Sequence, residues 1–145
     1  KNIILTILGE GSERKELKQL INHYGLLDNI YLAGFQPNPY INMANADLFV
    51  LSSRWEGFGH VIVESLVCNT PVIAFDCNEV PSEIISNEIN GLICNPEDIN
   101  SLSKTIIKYI NDNKLQEKLK NNVNFNISRF DSDLIADQYI KIFLK

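Results

Sequence analysis

Two glutamates, Glu56 and Glu64, flank the run Gly57-Phe58-Gly59-His60-Val61-Ile62-Val63. Glycines at 57 and 59 let the backbone approach a ligand closely and turn sharply into a helix. The first amides of that helix, those of Gly59, His60 and Val61, have no intrahelical acceptor and lie at the positive end of the helix dipole. Such a terminus suits a diphosphate. Glu64 follows within the first turns, and its carboxylate can accept hydrogen bonds from two vicinal hydroxyls, the geometry a ribose offers. Glu56, on the loop before the helix, would meet whatever hangs off the far phosphate. An acid at the nucleoside end, amides in the middle and an acid at the sugar end outline a nucleotide sugar.

The surrounding elements must hold that loop at a sheet edge. Ile3 to Leu8 is an apolar, β-branched run closed by Gly9-Glu10-Gly11, which reads as a buried strand and turn. Ser12 is placed to cap a helix bearing Leu17, Leu20, Ile21 and Tyr24 on one face, and Gly25 is placed to end it. Further strands are expected at Ile30–Ala33, Asp47–Leu51, Pro71–Phe75 and Gly91–Cys94. Short helices are expected through Tyr40–Ala44, His60–Cys68 and Ser82–Ile85. Three amphipathic helices close the chain: one with Ile99, Leu102, Ile106 and Tyr109, one with Leu115, Leu119 and Val123, and one after an Asp131 cap with Leu134, Ile135, Tyr139, Ile142 and Phe143. Their apolar stripes are expected to face the core. Strands alternating with helices predict an α/β fold, a doubly wound, mostly parallel sheet with helices on both faces, whose ligands bind beyond the carboxyl ends of the strands.

With these elements in order, the chain resembles the carboxy-terminal, donor-binding domain of family-4 retaining glycosyltransferases (group 1, GT-B fold). The resemblance rests on the E-x7-E pair around Glu-Gly-Phe-Gly, and on strands in sequence. Leu8-Gly9-Glu10-Gly11, Leu32-Ala33-Gly34-Phe35, Ala46 to Ser52, Thr70 to Ala74 and Asn90 to Ile93 look like the second to sixth strands of that domain. Phe75-Asp76-Cys77 with Glu83-Ile84-Ile85 is most similar to members that build bacterial capsule or lipopolysaccharide. The resemblance implies transfer of a sugar, with retention, from a nucleotide-diphosphate donor, a UDP-sugar by family habit, to a glycan or lipid-linked acceptor. It implies a catalytic role for Glu56 at the transferred sugar. Glu64, Gly57, Phe58, Gly59, His60 and Val61 would bind the donor, and Gly34, Phe35 and Gln36 would line the base pocket. All of residues 1–145 is read as a partial nucleotide-sugar-binding domain. Residues 131–145 are read as a terminal helix that packs on an absent amino-terminal domain, where the acceptor would bind. A cytoplasmic place, peripheral at the inner face of a membrane, goes with such acceptors.

The chain departs from the family pattern in two ways. Ser65, Cys68 and Asn69 stand where smaller residues or glycine are usual. The family's first strand, with the Arg and Lys that grip the diphosphate, is missing, so the sheet is expected to show a gap or to re-pair, and the isolated chain to be inactive.

Other readings of the same residues are weaker. Gly9-Glu10-Gly11 is half of a dinucleotide fingerprint, but Arg14 holds the third glycine position and no acid ends the next strand. His60 has no partner acid in sequence, so a backbone contact to phosphate is favoured over general-base catalysis. Trp55 reads as a packing or sugar-stacking residue, and Asp47 as a cap at its strand. No metal is expected, since no Asp-x-Asp of the kind that holds a divalent ion against a diphosphate is evident. A different GT-B reaction, epimerase or phosphorylase, and a non-catalytic nucleotide-binding module stay open beside the transferase.

Composition narrows the partners. The 145 residues carry a net charge of -5, 45% hydrophobic and 21% charged residues, with no basic stripe for nucleic acid and no apolar run long enough to span a bilayer. Cys68, Cys77 and Cys94 stand singly, which predicts free thiols rather than a disulfide framework or zinc site.

Overall fold

Alternation of strand and helix is what the computed structural model shows, and it describes residues 3–144. The chain divides into two units, the first ending at Pro39 and the second beginning at Tyr40.

In the first unit, β1 (Leu5–Leu8) runs parallel to β2 (Ile30–Gly34), with Leu5 opposite Ile30 and a register shift after Ile7. The crossover is α1 (Arg14–His23). Gly25, at φ +65°, ends it: the Leu26 amide reaches Ile21 O at 2.9 Å and the Gly25 amide reaches Asn22 O at 3.1 Å. This is the paired 6→1 and 5→2 closure that needs a left-handed residue. Ser12 does not cap α1. The N-cap is Glu13, without a side-chain cap bond, and Ser12 Oγ donates to Glu13 Oε1 at 2.8 Å instead. Nor is β1 buried as its apolar run suggested. It pairs with β2 alone, and Ile3, Ile4 and Leu5 remain about half exposed.

The second unit starts with α2 (Tyr40–Ala44) and β3 (Phe49–Leu51), then α3 (His60–Val67) and β4 (Val72–Phe75). A 3-10 turn at Cys77–Glu79 leads into α4 (Val80–Ile84) and β5 (Gly91–Cys94). The chain closes with α5 (Ile99–Asn111), α6 (Asn113–Asn121), a 3-10 turn at Ile127–Phe130 and α7 (Ser132–Phe143). The sheet is parallel in the order β3-β4-β5. Because side chains alternate along a strand, β4 feeds two cores. Val72 and Ala74 pack with Ile62, Leu66, Ile84 and Ile85 on one face, while Ile73 and Phe75 pack with Leu92, Tyr109, Leu115 and Leu119 on the other. Helices therefore cover both faces, as a doubly wound sheet requires.

β2 and β3 belong to separate sheets. Asp98, Asp112 and Asp131 cap α5, α6 and α7 through their carboxylates. The stripes of α5 and α6 face the core, but α7 buries none of its residues, so Leu134, Tyr139, Ile142 and Phe143 stay exposed. That corrects the core-facing expectation for the last helix. All three cysteines are free, Cys77 and Cys94 buried and Cys68 partly so. No helix among the described residues is long and apolar enough to cross a membrane.

Candidate functional site

The Ser52–Gly59 loop leaves the carboxyl end of β3 and enters α3 through Gly59, which adopts φ +74° and ψ 42°. That left-handed conformation favours glycine. A Cβ there would also lie 3.2 Å from Ile62 Cδ1. Gly59 O accepts the Ile62 amide at 2.9 Å, closing the first turn. Among the described residues the amides of Gly59, His60 and Val61 have no hydrogen-bond acceptor, and no side chain caps the helix. Of the three, His60 is exposed and Val61 partly buried, while Gly59 is buried, so the dipole end faces outward chiefly through His60 and Val61. Gly57 has open space around its Cβ position, so its requirement is not steric crowding by protein.

Phe58 fastens the loop. Its ring centroid lies 4.7 Å from that of His60 and 5.6 Å, edge-on, from that of Phe130. Arg129 lies over the Phe130 ring at 4.6 Å and donates to Glu83 O. The His60 imidazole rests on Phe58 and pairs with no carboxylate among the described residues. Trp55 is 77% exposed, which removes the packing half of its reading. Arg54 beside it forms a solvent-exposed ion pair with Glu97 at 3.5 Å.

Glu56 is partly buried, close to the turn after β4. Burial first, then the negative charges of Glu56 and Asp76, hold the Cys77 thiol above its ordinary range, outweighing a lowering by a backbone hydrogen bond. A protonated, buried thiol is no nucleophile. In that turn Asn78 (φ 52°) and Glu79 (φ 60°) are consecutive left-handed residues without glycine. Strain of this kind collects at functional sites. The sequence held only a faint signal for it, an asparagine tolerant of that conformation following Asp76-Cys77. Asp76 Oδ1 accepts the Ser82 amide at 3.1 Å and steadies the turn into α4.

Glu64, half-buried on α3, accepts from the Tyr40 phenol at 3.3 Å on Oε1. The Glu64 charge, then this hydrogen bond, then burial and the charge of Cys68 raise the Tyr40 pKa, so the phenol stays a donor at neutral pH. Tyr40 went unnoticed as a site residue in sequence, where 24 residues separate it from Glu64.

Gly34, Phe35 and Gln36 lie in the first unit, at the end of β2. Gly34 has φ +72°, and a Cβ there would meet Glu10 Oε1 at 2.7 Å. Arg14 holds that carboxylate at 2.9 Å and donates to Leu32 O at 3.0 Å, so this arginine braces a turn. Phe35 is 75% exposed, and the Gln36 amide turns back to Ala33 O at 2.9 Å. Asp47 sits in a bend before β3, where its carbonyl, not its acid, accepts from Tyr109 at 2.8 Å. One Asp-x-Asp does occur, Asp131-Ser132-Asp133. Asp131 Oδ1 there accepts the Asp133 and Leu134 amides as the α7 cap.

The chain is similar in sequence and fold to known proteins. The family model of group 1 glycosyl transferases matches residues 1–124. A Campylobacter jejuni protein described as N-acetylgalactosamine-N,N'-diacetylbacillosaminyl-diphospho-undecaprenol 4-alpha-N-acetylgalactosaminyltransferase is 34% identical over 140 residues, covering 97% of this chain and 38% of that protein. The lipopolysaccharide core biosynthesis glycosyltransferase LpsD of Rhizobium meliloti is 31% identical over 144 residues, covering 99% of this chain and 42% of that one. Among solved structures, Anabaena Alr3699/HepE in complex with UDP superposes with a TM-score of 0.85 at 27% identity, over 98% of this chain and 40% of its own. The same Anabaena protein has also been solved with UDP-glucose. This chain spans about two fifths of the length of those relatives. Matched in sequence over most of its length and in the GT-B fold throughout, the chain belongs to the group 1 glycosyl transferases.

Proposed function

We propose that this chain binds the donor in a retaining hexosyltransferase that moves a sugar from a nucleotide diphosphate, a UDP-sugar, to a glycan or lipid-linked acceptor of a bacterial surface polysaccharide. The observation that carries this is the α3 terminus: three amides without acceptors at a left-handed Gly59, with Glu64 on the same helix. The diphosphate takes the amides of Gly59, His60 and Val61, with Gly57 leaving room for close approach. Glu64 accepts from the ribose hydroxyls, and Glu56 contacts the transferred sugar. Phe58 acts by holding the loop, and a base-lining role for Gly34, Phe35 and Gln36 of the first unit is proposed on the family resemblance alone. The site needs no metal in this reading, because amides and cations from elsewhere in the protein neutralise the diphosphate.

Support comes from a relative named as an N-acetylgalactosaminyltransferase acting on a diphospho-undecaprenol-linked sugar, from one named for lipopolysaccharide core biosynthesis, and from a structural neighbour solved with UDP and with UDP-glucose. We assign the acceptor, and the docking of the exposed α7 stripe, to an amino-terminal domain outside these 145 residues. The protein works in the cytoplasm, peripherally at the inner face of the membrane.

Calorimetric titration with UDP, GDP and ADP tests the reading. The 145-residue chain alone should bind UDP only in the millimolar range, roughly -4 kcal/mol, and should transfer no sugar. Glu64→Ala should weaken UDP binding by about tenfold or more, the effect of losing hydrogen bonds to a charged group. Equal affinity of the variant and the wild type would remove the ribose role. Sugar transfer by the chain alone would overturn the division of labour.

A further inference from the structure

A glutamate on an exposed helix face samples many rotamers, and ordering it costs affinity when a ligand needs it in one place. Glu64 is not left to do so. From another helix, 24 residues earlier, Tyr40 directs its phenol at Glu64 Oε1, 3.3 Å away. The backbones that carry the two residues are tied together by buried hydrogen bonds. Ser65, next to Glu64, donates from Oγ to Thr70 O at 3.1 Å, and Thr70 Oγ1 donates to Met43 O at 2.6 Å. Met43 lies on α2 one turn beyond Tyr40, and Ser65, Thr70 and Met43 are all buried. α2 and α3 are thereby held at a fixed offset.

Resting on the donor-binding reading above, we propose that Tyr40 is a positioning residue for Glu64. It holds Oε1 so that the rest of the carboxylate is presented to the two hydroxyls of a ribose, which makes it a determinant of ribose over deoxyribose. A carboxylate has about four acceptor positions, so one phenol leaves room for both ligand hydroxyls. At 3.3 Å the bond is longer than the usual range for O–H···O, and such contacts tighten when a ligand completes the network. The raised pKa of the phenol keeps its proton in place at neutral pH.

The test compares UDP with 2′-deoxy-UDP on the intact protein, by calorimetry, for wild type, Tyr40→Phe, Glu64→Ala and the double variant. Tyr40→Phe keeps the ring and removes one hydrogen bond. It should weaken UDP binding about threefold to tenfold, weaken 2′-deoxy-UDP binding less, and add nothing once Glu64 is alanine. Wild-type affinity in Tyr40→Phe, or the same loss for both nucleotides, or the same loss in the Glu64→Ala background, would overturn the positioning role while leaving the ribose contact standing. Should Glu64→Ala itself bind UDP like the wild type, the ribose contact fails first, and the role of Tyr40 fails with it.

Discussion

β1 and β4 are four-residue strands of similar composition, Leu-Thr-Ile-Leu and Val-Ile-Ala-Phe, yet no residue of β1 is buried and every residue of β4 is. Their neighbours make the difference. β4 lies between two parallel strands and feeds a core on each face. β1 has one partner. Burial is set by position in the sheet more than by the strand's own residues. The Gly59 turn stands on the buried side of that contrast, since β3 is paired to β4 and α3 is rooted by Ile62 and Leu66, both fully buried. Phe35 and Gln36 extend from the exposed one.

The sharpest way to break this comparison is to truncate both strands. Ile73→Ala, at a fully buried site, should cost about 2–5 kcal/mol in urea unfolding. If it cost under about 1 kcal/mol, within reach of a surface change, the second unit would have no fixed core. Next in size is Gly91→Ala on β5, where an added Cβ would lie 2.6 Å from Val72 O and 2.9 Å from Ile85 Cγ2. Backbone cannot yield cheaply there, and we expect about 1–3 kcal/mol of overpacking, with Gly57→Ala, in open space, nearly neutral in the same melts.

Tyr109 sharpens the contrast by pH. Burial, then the charge of Asp47, push its pKa up to about 12 from 10.0. The folded state holds this proton more tightly, so the stabilisation is complete below pH 10 and is lost as pH rises from about 10 to 12. Wild type minus Tyr109→Phe should therefore show a fall of about 2–3 kcal/mol across that window, and a flat difference would remove the burial argument. The smallest effect belongs to β1: Leu5→Ala, at a position 44% exposed, should cost less than about 1 kcal/mol. A cost matching that of Ile73→Ala would mean that β1 is covered in solution.

The order of elements was legible because it is local. Period-2 and period-3.6 apolar patterns, Gly25 and the Asp131 cap each act within one turn of chain, and each stands where the pattern put it. The E-x7-E loop was legible as a motif, down to the helix start at His60. The features that escaped depend on residues far apart. Exposure of β1 comes from a neighbour it lacks, and the Tyr40–Glu64 contact from packing of α2 on α3. Even one local reading failed, at Ser12, because a nearby glutamate competes for its hydroxyl. The left-handed pair Asn78 and Glu79 was hidden for another reason: Asn78 tolerates that conformation but does not declare it as a glycine would, and Glu79 gives no sign of it.

Many helices are finished at their start by a serine, threonine or aspartate of their own; α5, α6 and α7 each use an aspartate, whereas α1 and α4 have no side-chain cap and α3 begins at Gly59 without one. Leaving that end bare makes the helix's completion a property of the solution. Any small oxyanion in the buffer would serve as a surrogate cap, so nucleotide affinities read in phosphate or sulfate would come out weaker than those read in chloride. Melting temperature, by the same logic, would climb with whichever anion fits best.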